Sequence, residues 1–467
     1  MIIKRLSLSF LFIVIVLLSL LAAQGMAPGI LIASPRLPNV TPEMERPEFW
    51  IKKIENPKNL LLGPEKIQKM NEENLMRKDL FLCRIRDLKE DWKREEVLSL
   101  LKEDWEDFGR TGQARCGKSG TPLGEPFWNE LKNNLNEESV KESSRMLLGL
   151  IVKRANIRVF PVDSLSVHAP NRYEFDRFQH SSISPGSPIG IYHFSKDRQW
   201  AYVQTSFIRG WVRLHDLAIA KERSEVVDYE EAKDRLLVTG NLAHIFGDLF
   251  LRQTVFLAQM GDSFPLLSFP GGAQMNNAGY VIRIPSREET GDLTFKKGYL
   301  RPKEDVHRGS LPFNQENVAR QAFKMLNHRY GWGDSLGGRD CSRFIMDLFR
   351  TFGILMPRNS KEQATVGIEL GLLEGKTEKE KRKLLDQAIP LATTLRLPGH
   401  IMLYLGRDKG RHYVIHSIWG IQRSGTPDPK LEKIGRVVVS DLSLGRSGLN
   451  GSLLARLSDI RFIGAED

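Results

Sequence analysis

Cys341 is the residue of this chain best placed to act as a nucleophile. It stands in "YGWGDSLGGRDCSRFIMDLFRTFGILMPRNS", residues 330–360, between a glycine-rich turn and a run with apolar Phe344, Ile345, Leu348 and Phe349 three and four apart. That spacing predicts a helix with Cys341 at or within one turn of its start. A helix N-terminus presents unpaired N–H groups and a partial positive charge, and both favour thiolate over thiol. Asp340 opposes this electrostatically unless its carboxylate is occupied, as the helix cap or by a cationic group of a substrate. The competing use of Cys341 is as a merely buried thiol.

A thiol nucleophile needs a base, and the base needs an orienting partner. "RLPGHIMLYLGRD" puts His400 at the start of an apolar strand, and "RHYVIHSIWG" puts His416 near the end of the next. Asp408, Lys409 and Gly410 supply the hairpin turn between them. Adjacent antiparallel strands then bring both imidazoles to one region, His400 to take the thiol proton and His416 to fix its tautomer. A lone histidine at a strand end is more often a surface or packed residue; a cysteine after a glycine turn followed by two such histidines reverses that reading. Zinc is the other use of these residue types. No second cysteine or carboxylate with ligand spacing lies nearby, so neither a metal nor another cofactor is expected.

The elements that must position these residues belong to a chain of 467, too long for one core and suited to three or four units. With 41% hydrophobic and 27% charged residues it is a folded globular protein, and a net charge of +11 invites an acidic partner such as nucleic acid, anionic lipid or an anionic wall polymer. The first 25 residues narrow this. Lys4 and Arg5 precede an uncharged apolar run of 18 residues, Leu6–Ala23, ending in small residues. This is the layout of a secretory signal peptide, and the run is also just long enough to be an uncleaved anchor. Either way the remainder is exported to the periplasm or cell envelope, nucleic acid is excluded as a partner, and membrane contact arises only if the segment stays. Three cysteines leave an odd thiol in an oxidising compartment. Cys83 and Cys116 either pair with each other, leaving Cys341 alone, or all three are reduced.

Residues 26–63 are proline-rich and read as a linker and entry segment. Residues 64–150 carry helical periodicity in "RKDLFLCRIRDLKEDW" and "REEVLSLLKEDWEDF" and read as a helical N-terminal domain of short antiparallel helices. From residue 151 the texture is short alternating strands split by turns, giving two small β-barrels, 151–222 and 223–302, with the charged "KERSEVVDYEEAKDR" as spacer. "WAYVQTSFIRGWV" resembles the end of a bacterial SH3-like domain, and the second copy is more diverged. Trp200, Tyr202 and Trp211 are either exposed aromatics for binding peptide or wall glycan, or core packing. Residues 303–467 hold the cysteine and both histidines. The fold class expected is multidomain α+β.

"GGRDCSRF", "GHIMLYLG" and "VIHS", with "LMPRNSKEQ" after the nucleophile helix, resemble the NlpC-type cell-wall cysteine peptidases, which have a papain-like fold. The helical region and two SH3-like barrels ahead of them resemble the architecture of a secreted subgroup. The resemblance implies a peptidase that attacks the amide after a γ-linked D-glutamyl residue of a peptidoglycan stem peptide, releasing it from the following diamino acid. It implies Cys341 as nucleophile, His400 as base and His416 as orienter. It also implies Asp340 and Ser342 as the binders of a free amino end on the stem peptide, and Tyr330 as a residue near the oxyanion. Many relatives read Gly-Asp-Leu ahead of the histidine strand, where this chain has "TLRLPGHIMLYLG". Arg358 and Gln363 are assigned structural roles. The charged "GLLEGKTEKEKRKLLDQAIP" is expected as a solvated helix or loop at the cleft edge, where its length would affect access. The alternatives are a wall amidase or acyltransferase on the same fold, and a catalytically inactive wall-binding protein.

Overall fold

The computed structural model of the chain describes residues 36–110, 114–168, 174–267, 279–422, 431–448 and 450–464. The apolar run expected as signal or anchor lies outside these residues. Among the described residues no helix is long and apolar enough to cross a membrane.

Alternating apolar residues between Leu147 and Ile219 form a seven-stranded antiparallel sheet. One set of its side chains, Ile157, Ile183, Ile189, Val203 and Val212, faces the main core. The other set includes Trp200, Tyr202 and Trp211, which are 2%, 0% and 0% exposed. Helices Arg94–Phe108 and Glu125–Asn134 cover that aromatic set with Val97, Leu101, Trp128 and Leu131. The aromatics are therefore packing, and the expectation of an exposed binding stripe there is set aside. The N-terminal helices also lack a core of their own: helix Pro64–Met76 sends Ile67 and Met70 into the cluster that holds Cys341. Short amphipathic helices bury too little surface to stand alone, so each uses the nearest sheet or helix as its other layer.

Between Arg235 and Arg308 a three-stranded and a four-stranded antiparallel sheet enclose Leu236, Ile245, Phe256, Phe264 and Ile282. The charged spacer ahead of them is the helix Arg223–Glu230, which buries Val226 and Tyr229. The segment read as a linker is ordered from Pro38 onward: Trp50, 1% exposed, packs 5.4 Å from Tyr413, whose hydroxyl donates to the Asn39 carbonyl at 2.9 Å. A buried tryptophan makes this stretch a strap rather than a tether.

The remaining residues build helices α1 (Gln315–Lys324), α2 (Cys341–Arg350), α3 (Ser360–Gln363), α4 (Glu378–Leu385) and α5 (Leu453–Arg456). They also build an antiparallel sheet of β1 (Ile368–Leu372), β2 (Thr393–Leu397), β3 (His400–Asp408), β4 (Arg411–Gln422), β5 (Leu431–Asp441) and β6 (Asp459–Phe462), in the spatial order β1-β6-β2-β3-β4-β5. Helix α2 is buried along its length from Cys341 to Phe349. Its Phe344, Ile345 and Phe349 meet Ile401, Leu403 and Ile415 of the sheet in one core, while its Arg343 donates to the Ser182 carbonyl of the first barrel at 3.1 Å. Helix α2 is thus wedged between a sheet and a barrel. All three cysteines are free thiols, so Cys83 and Cys116 do not pair.

Candidate active site

Cys341 is the first residue of α2, and Asp340 is its N-cap, accepting the Arg343 N–H at 2.8 Å. The turn before it is tight because Gly331 and Gly338 lie against each other: a Cβ on Gly338 would fall 2.7 Å from the Gly331 nitrogen. This contact folds Tyr330 back towards Asp340 and Cys341. Across the gap, β3 begins at His400, and the thiolate of Cys341 is favoured by a hydrogen bond from the N–H of Ile401, the next residue. The sulfur therefore sits beside the start of β3, as the helix-strand packing requires.

The β3–β4 hairpin turns at Lys409 and Gly410, with φ of 45° and 79°. Two consecutive left-handed residues are the signature of a type I′ turn, which suits asparagine or glycine and strains lysine. The register pairs Leu403 with Ile415, which sets His416 diagonal to His400 on the same face, in mid-strand rather than near the strand end. Their rings meet with His400 Nε2 2.6 Å from His416 Nδ1, and His416 Nε2 lies 3.0 Å from Ser440 Oγ on β5. One proton order in this line leaves a base for the thiol. If His416 Nε2–H donates to Ser440, its Nδ1 accepts from His400 Nε2–H, and His400 Nδ1 keeps its lone pair. Ser440 had no signal in the sequence, being one serine in an apolar strand.

Burial dominates the electrostatics. It pushes the Cys341 thiol up to about 12, and the Asp340 charge adds to the effect. Burial pushes His400 down to about 4, assisted by the Arg456 cation and opposed by Asp340. His416 is held well below its ordinary value by burial and then by His400. At neutral pH the resting pair is thiol and neutral imidazole, not an ion pair. The Tyr330 phenol is driven upward by burial and then by the charges of Asp340 and Cys341, which places its hydroxyl near both.

Asp340 is not left facing an empty site. Its Oδ1 accepts from Arg343 N–H, Ser342 Oγ (3.1 Å) and Arg358 Nη1 (3.2 Å), and its Oδ2 accepts from Arg358 Nη2 at 2.7 Å. Arg358 also donates to Asp334 (3.1 Å), to Ser181 of the first barrel (2.6 Å) and to Ser342 (2.8 Å). Asp334 stands in the glycine turn at φ 61°, and Ser181 Oγ donates to it at 3.0 Å. Arg358, left out of the site on sequence grounds, is the cation that occupies Asp340. Gln363 does play the framework part expected of it, donating to the Ser342 and Pro357 carbonyls at 2.8 Å each.

Above His400 lies a cleft of about 330 Å³. Phe175 of the first barrel, Tyr330, Trp332, Trp419 and Arg456 are among its walls; Cys341, 7% exposed, is not one of its lining residues. Phe175 meets Trp332 and Trp419 edge-on at 5.3 and 5.5 Å, and Trp332 Nε1–H donates to the Asp176 carbonyl at 3.1 Å, so the barrel and the C-terminal domain share one aromatic wall. The opposite wall is the glycine-rich loop after β5, through Leu444, Gly445, Gly448 and Gly451. Among the described residues the second barrel contributes nothing to this lining. The charged segment expected at the cleft edge does not line it either: α4 lies against α5, with Lys381 Nζ donating to the Ala455 and Leu457 carbonyls at 2.7 Å each. Arg456, the cation in the cleft wall, sits in a short C-terminal helix that carried no motif. Among the described residues no group of three or more histidine, cysteine, aspartate or glutamate side chains could hold a metal.

A model of the NlpC/P60 family matches residues 327–424, and a model of an SH3 domain of the SH3b1 type matches residues 167–213, within the first barrel. Among solved structures, an NlpC/P60 endopeptidase from Photobacterium damselae subsp. piscicida superposes with a TM-score of 0.70 at 18% identity, over 89% of this chain and 96% of its own. That likeness is one of fold. An NlpC/P60 family protein from Bacillus cereus ATCC 10987 aligns at 16% identity over 68% of this chain and 100% of its own, with a TM-score of 0.46. No curated protein matches the chain in sequence.

Proposed function

Because the chain carries an NlpC/P60 domain behind an SH3 domain on a multidomain α+β fold, we propose that it is an exported peptidoglycan hydrolase of the cell envelope. In this reading it is a cysteine peptidase that cleaves stem peptides between γ-D-glutamyl and the diamino acid. The observation that carries the reading is the line Ser440–His416–His400, with the Cys341 thiol at the N–H of Ile401, the residue next to His400. Substrate arrival triggers proton transfer from Cys341 Sγ to His400 Nδ1 as the sulfur attacks the γ-glutamyl carbonyl carbon. The resulting oxyanion takes donors from the Cys341 backbone N–H and the Tyr330 hydroxyl. The C–N bond breaks as His400 returns the proton to the leaving amine. Water then attacks the thioester, giving its proton to His400, and the acid leaves as the thiol is restored.

Two features support a short substrate with a free amino end. Oδ1 of Asp340 carries three hydrogen bonds and Oδ2 one, so Oδ2 keeps a lone pair for an ammonium, with the Ser342 hydroxyl beside it. The aromatic wall shared with the first barrel would exclude a stem still carrying its glycan. Mass spectrometry of free stem tripeptides and of glycan-linked stems, each incubated with the wild-type chain and with Cys341→Ala, tests both points. Wild-type cleavage of the free peptides at the γ-D-glutamyl bond, and none by Cys341→Ala, is the expected result. Cleavage at another bond would make the chain an amidase or acyltransferase, and equal cleavage of glycan-linked stems would remove the size limit.

A further inference from the structure

At the end of the β3–β4 hairpin opposite to His400 there is a second concavity, of about 270 Å³, lined by Arg382, Lys409, Arg411 and Arg446 together with His412 and Asp441. These cations come from three separate places in the chain: α4, the β3–β4 hairpin (Lys409 and Arg411) and the glycine-rich loop. Convergence from three places is the mark of a formed site rather than of one charged run. The strand β3 from His400 to Asp408 separates this concavity from the catalytic histidine by roughly 26 Å at ~3.3 Å per residue.

The carboxylates nearby do not balance the cations. Asp441 is consumed by Arg411 (3.0 Å), by Asn39 (3.0 Å) and by the Ser443 hydroxyl. Glu378 is shared by Arg382 (3.5 Å), Arg446 (3.3 Å) and the Ser452 hydroxyl (2.9 Å). Asp386 serves Arg407 at 3.0 Å and stands 3.6 Å from His412. Asp408, at the turn, is paired with Lys53 at 2.7 Å. Lys409 has no ion pair among the described residues and projects from a left-handed turn position that only function or a following glycine makes tolerable. His412 does not add to the charge, since burial holds it down to about 4 and its Nδ1 meets the Tyr404 hydroxyl at 2.8 Å.

We propose that this concavity is an anion-binding site for a phosphate group. Arginine forks match the tetrahedral oxygens of phosphate and lysine adds a point charge, and a depression this size takes a phosphate or diphosphate. In an envelope protein that group belongs to a phosphate-bearing solute or polymer, or to a lipid headgroup. The occupant is not the scissile peptide, which binds a strand length away, so the inference does not depend on the peptidase reading.

The test is isothermal titration of the full chain with inorganic pyrophosphate, alongside sedimentation with phosphatidylglycerol and phosphatidylcholine vesicles. Each is repeated with the double variant Lys409→Glu, Arg446→Glu and with Lys409→Gln alone, whose exposed turn position makes misfolding a poor explanation. The expected result is pyrophosphate binding that falls at least tenfold in the double variant and measurably in Lys409→Gln, with thermal unfolding unchanged. Selective binding to phosphatidylglycerol, lost in the variants, would name the headgroup as the source; pyrophosphate binding without vesicle binding would name a soluble or polymeric phosphate. Binding to neither probe, or binding that survives both variants, would overturn the proposal.

Discussion

At the scale of single residues, the centre of the site is a buried arginine rather than the cysteine. Arg358, 4% exposed, holds Asp334 and Asp340 together beneath Cys341. Removing one partner of a buried pair leaves uncompensated charge, at a cost of about 3–5 kcal/mol. Arg358→Met is therefore expected to lose roughly that much in urea unfolding, with Asp340 stranded and Asp334 left to Arg343 alone; a loss below ~1 kcal/mol would mean that water reaches them. The sequence singled out Cys341, His400 and His416 as candidates because a cysteine at a helix start and two histidines flanking a hairpin leave a local signature. Arg358, Asp334 and Ser440 left none: their partners lie on other elements, the first barrel included, and no spacing rule connects a strand serine to a histidine on the neighbouring strand.

At the scale of elements, the four-residue helix α5 matters through Arg456. It lines the cleft, and its charge is the second cause, after burial, of the low His400 value. A cation in the cleft wall suits a substrate bearing carboxylates. Arg456→Ala is expected to raise KM several-fold and to move the acidic limb of kcat/KM to higher pH. The sign follows from the proposed role of His400 as base: it would work only when neutral, and removing a cation makes it easier to protonate. A changed KM with an unmoved limb would leave Arg456 a binding role alone. Helix, strand and hairpin periodicity predicted these elements well around the cysteine. It did not say what covers an amphipathic face, which is why the N-terminal helices and Trp200, Tyr202 and Trp211 were assignable only once the barrel and helices were seen to share one aromatic core.

At the scale of the whole molecule, residues 38–467 form one compact unit, and its interior holds histidines in the neutral state. Burial lowers His180 to about 3, and His328, His400 and His412 each to about 4. Unfolded, these groups take protons near 6.5, so the unfolded chain binds more protons than the folded one between roughly pH 6.5 and 4. Their contribution is complete above 6.5 and is lost as pH falls towards 4. Asp334 and Glu230, raised by burial, act in the opposite sense, whereas Asp347, lowered to about 2, holds its contribution until far more acid conditions. Melting temperatures measured from pH 7 to pH 4.5 should fall steadily; a flat series would show that the raised carboxylates offset the histidines.

The state of the resting thiol has a consequence outside catalysis. Peroxide and disulfides react with thiolate, and accessible low-pKa cysteines are the ones that become sulfenic acid. A Cys341 that is buried and pushed up to about 12 shows oxidants almost no thiolate until a substrate fills the cleft. In the exported peptidase proposed above, an idle molecule would keep the Cys341 sulfur intact through long residence in an oxidising compartment, and would be vulnerable there only while working.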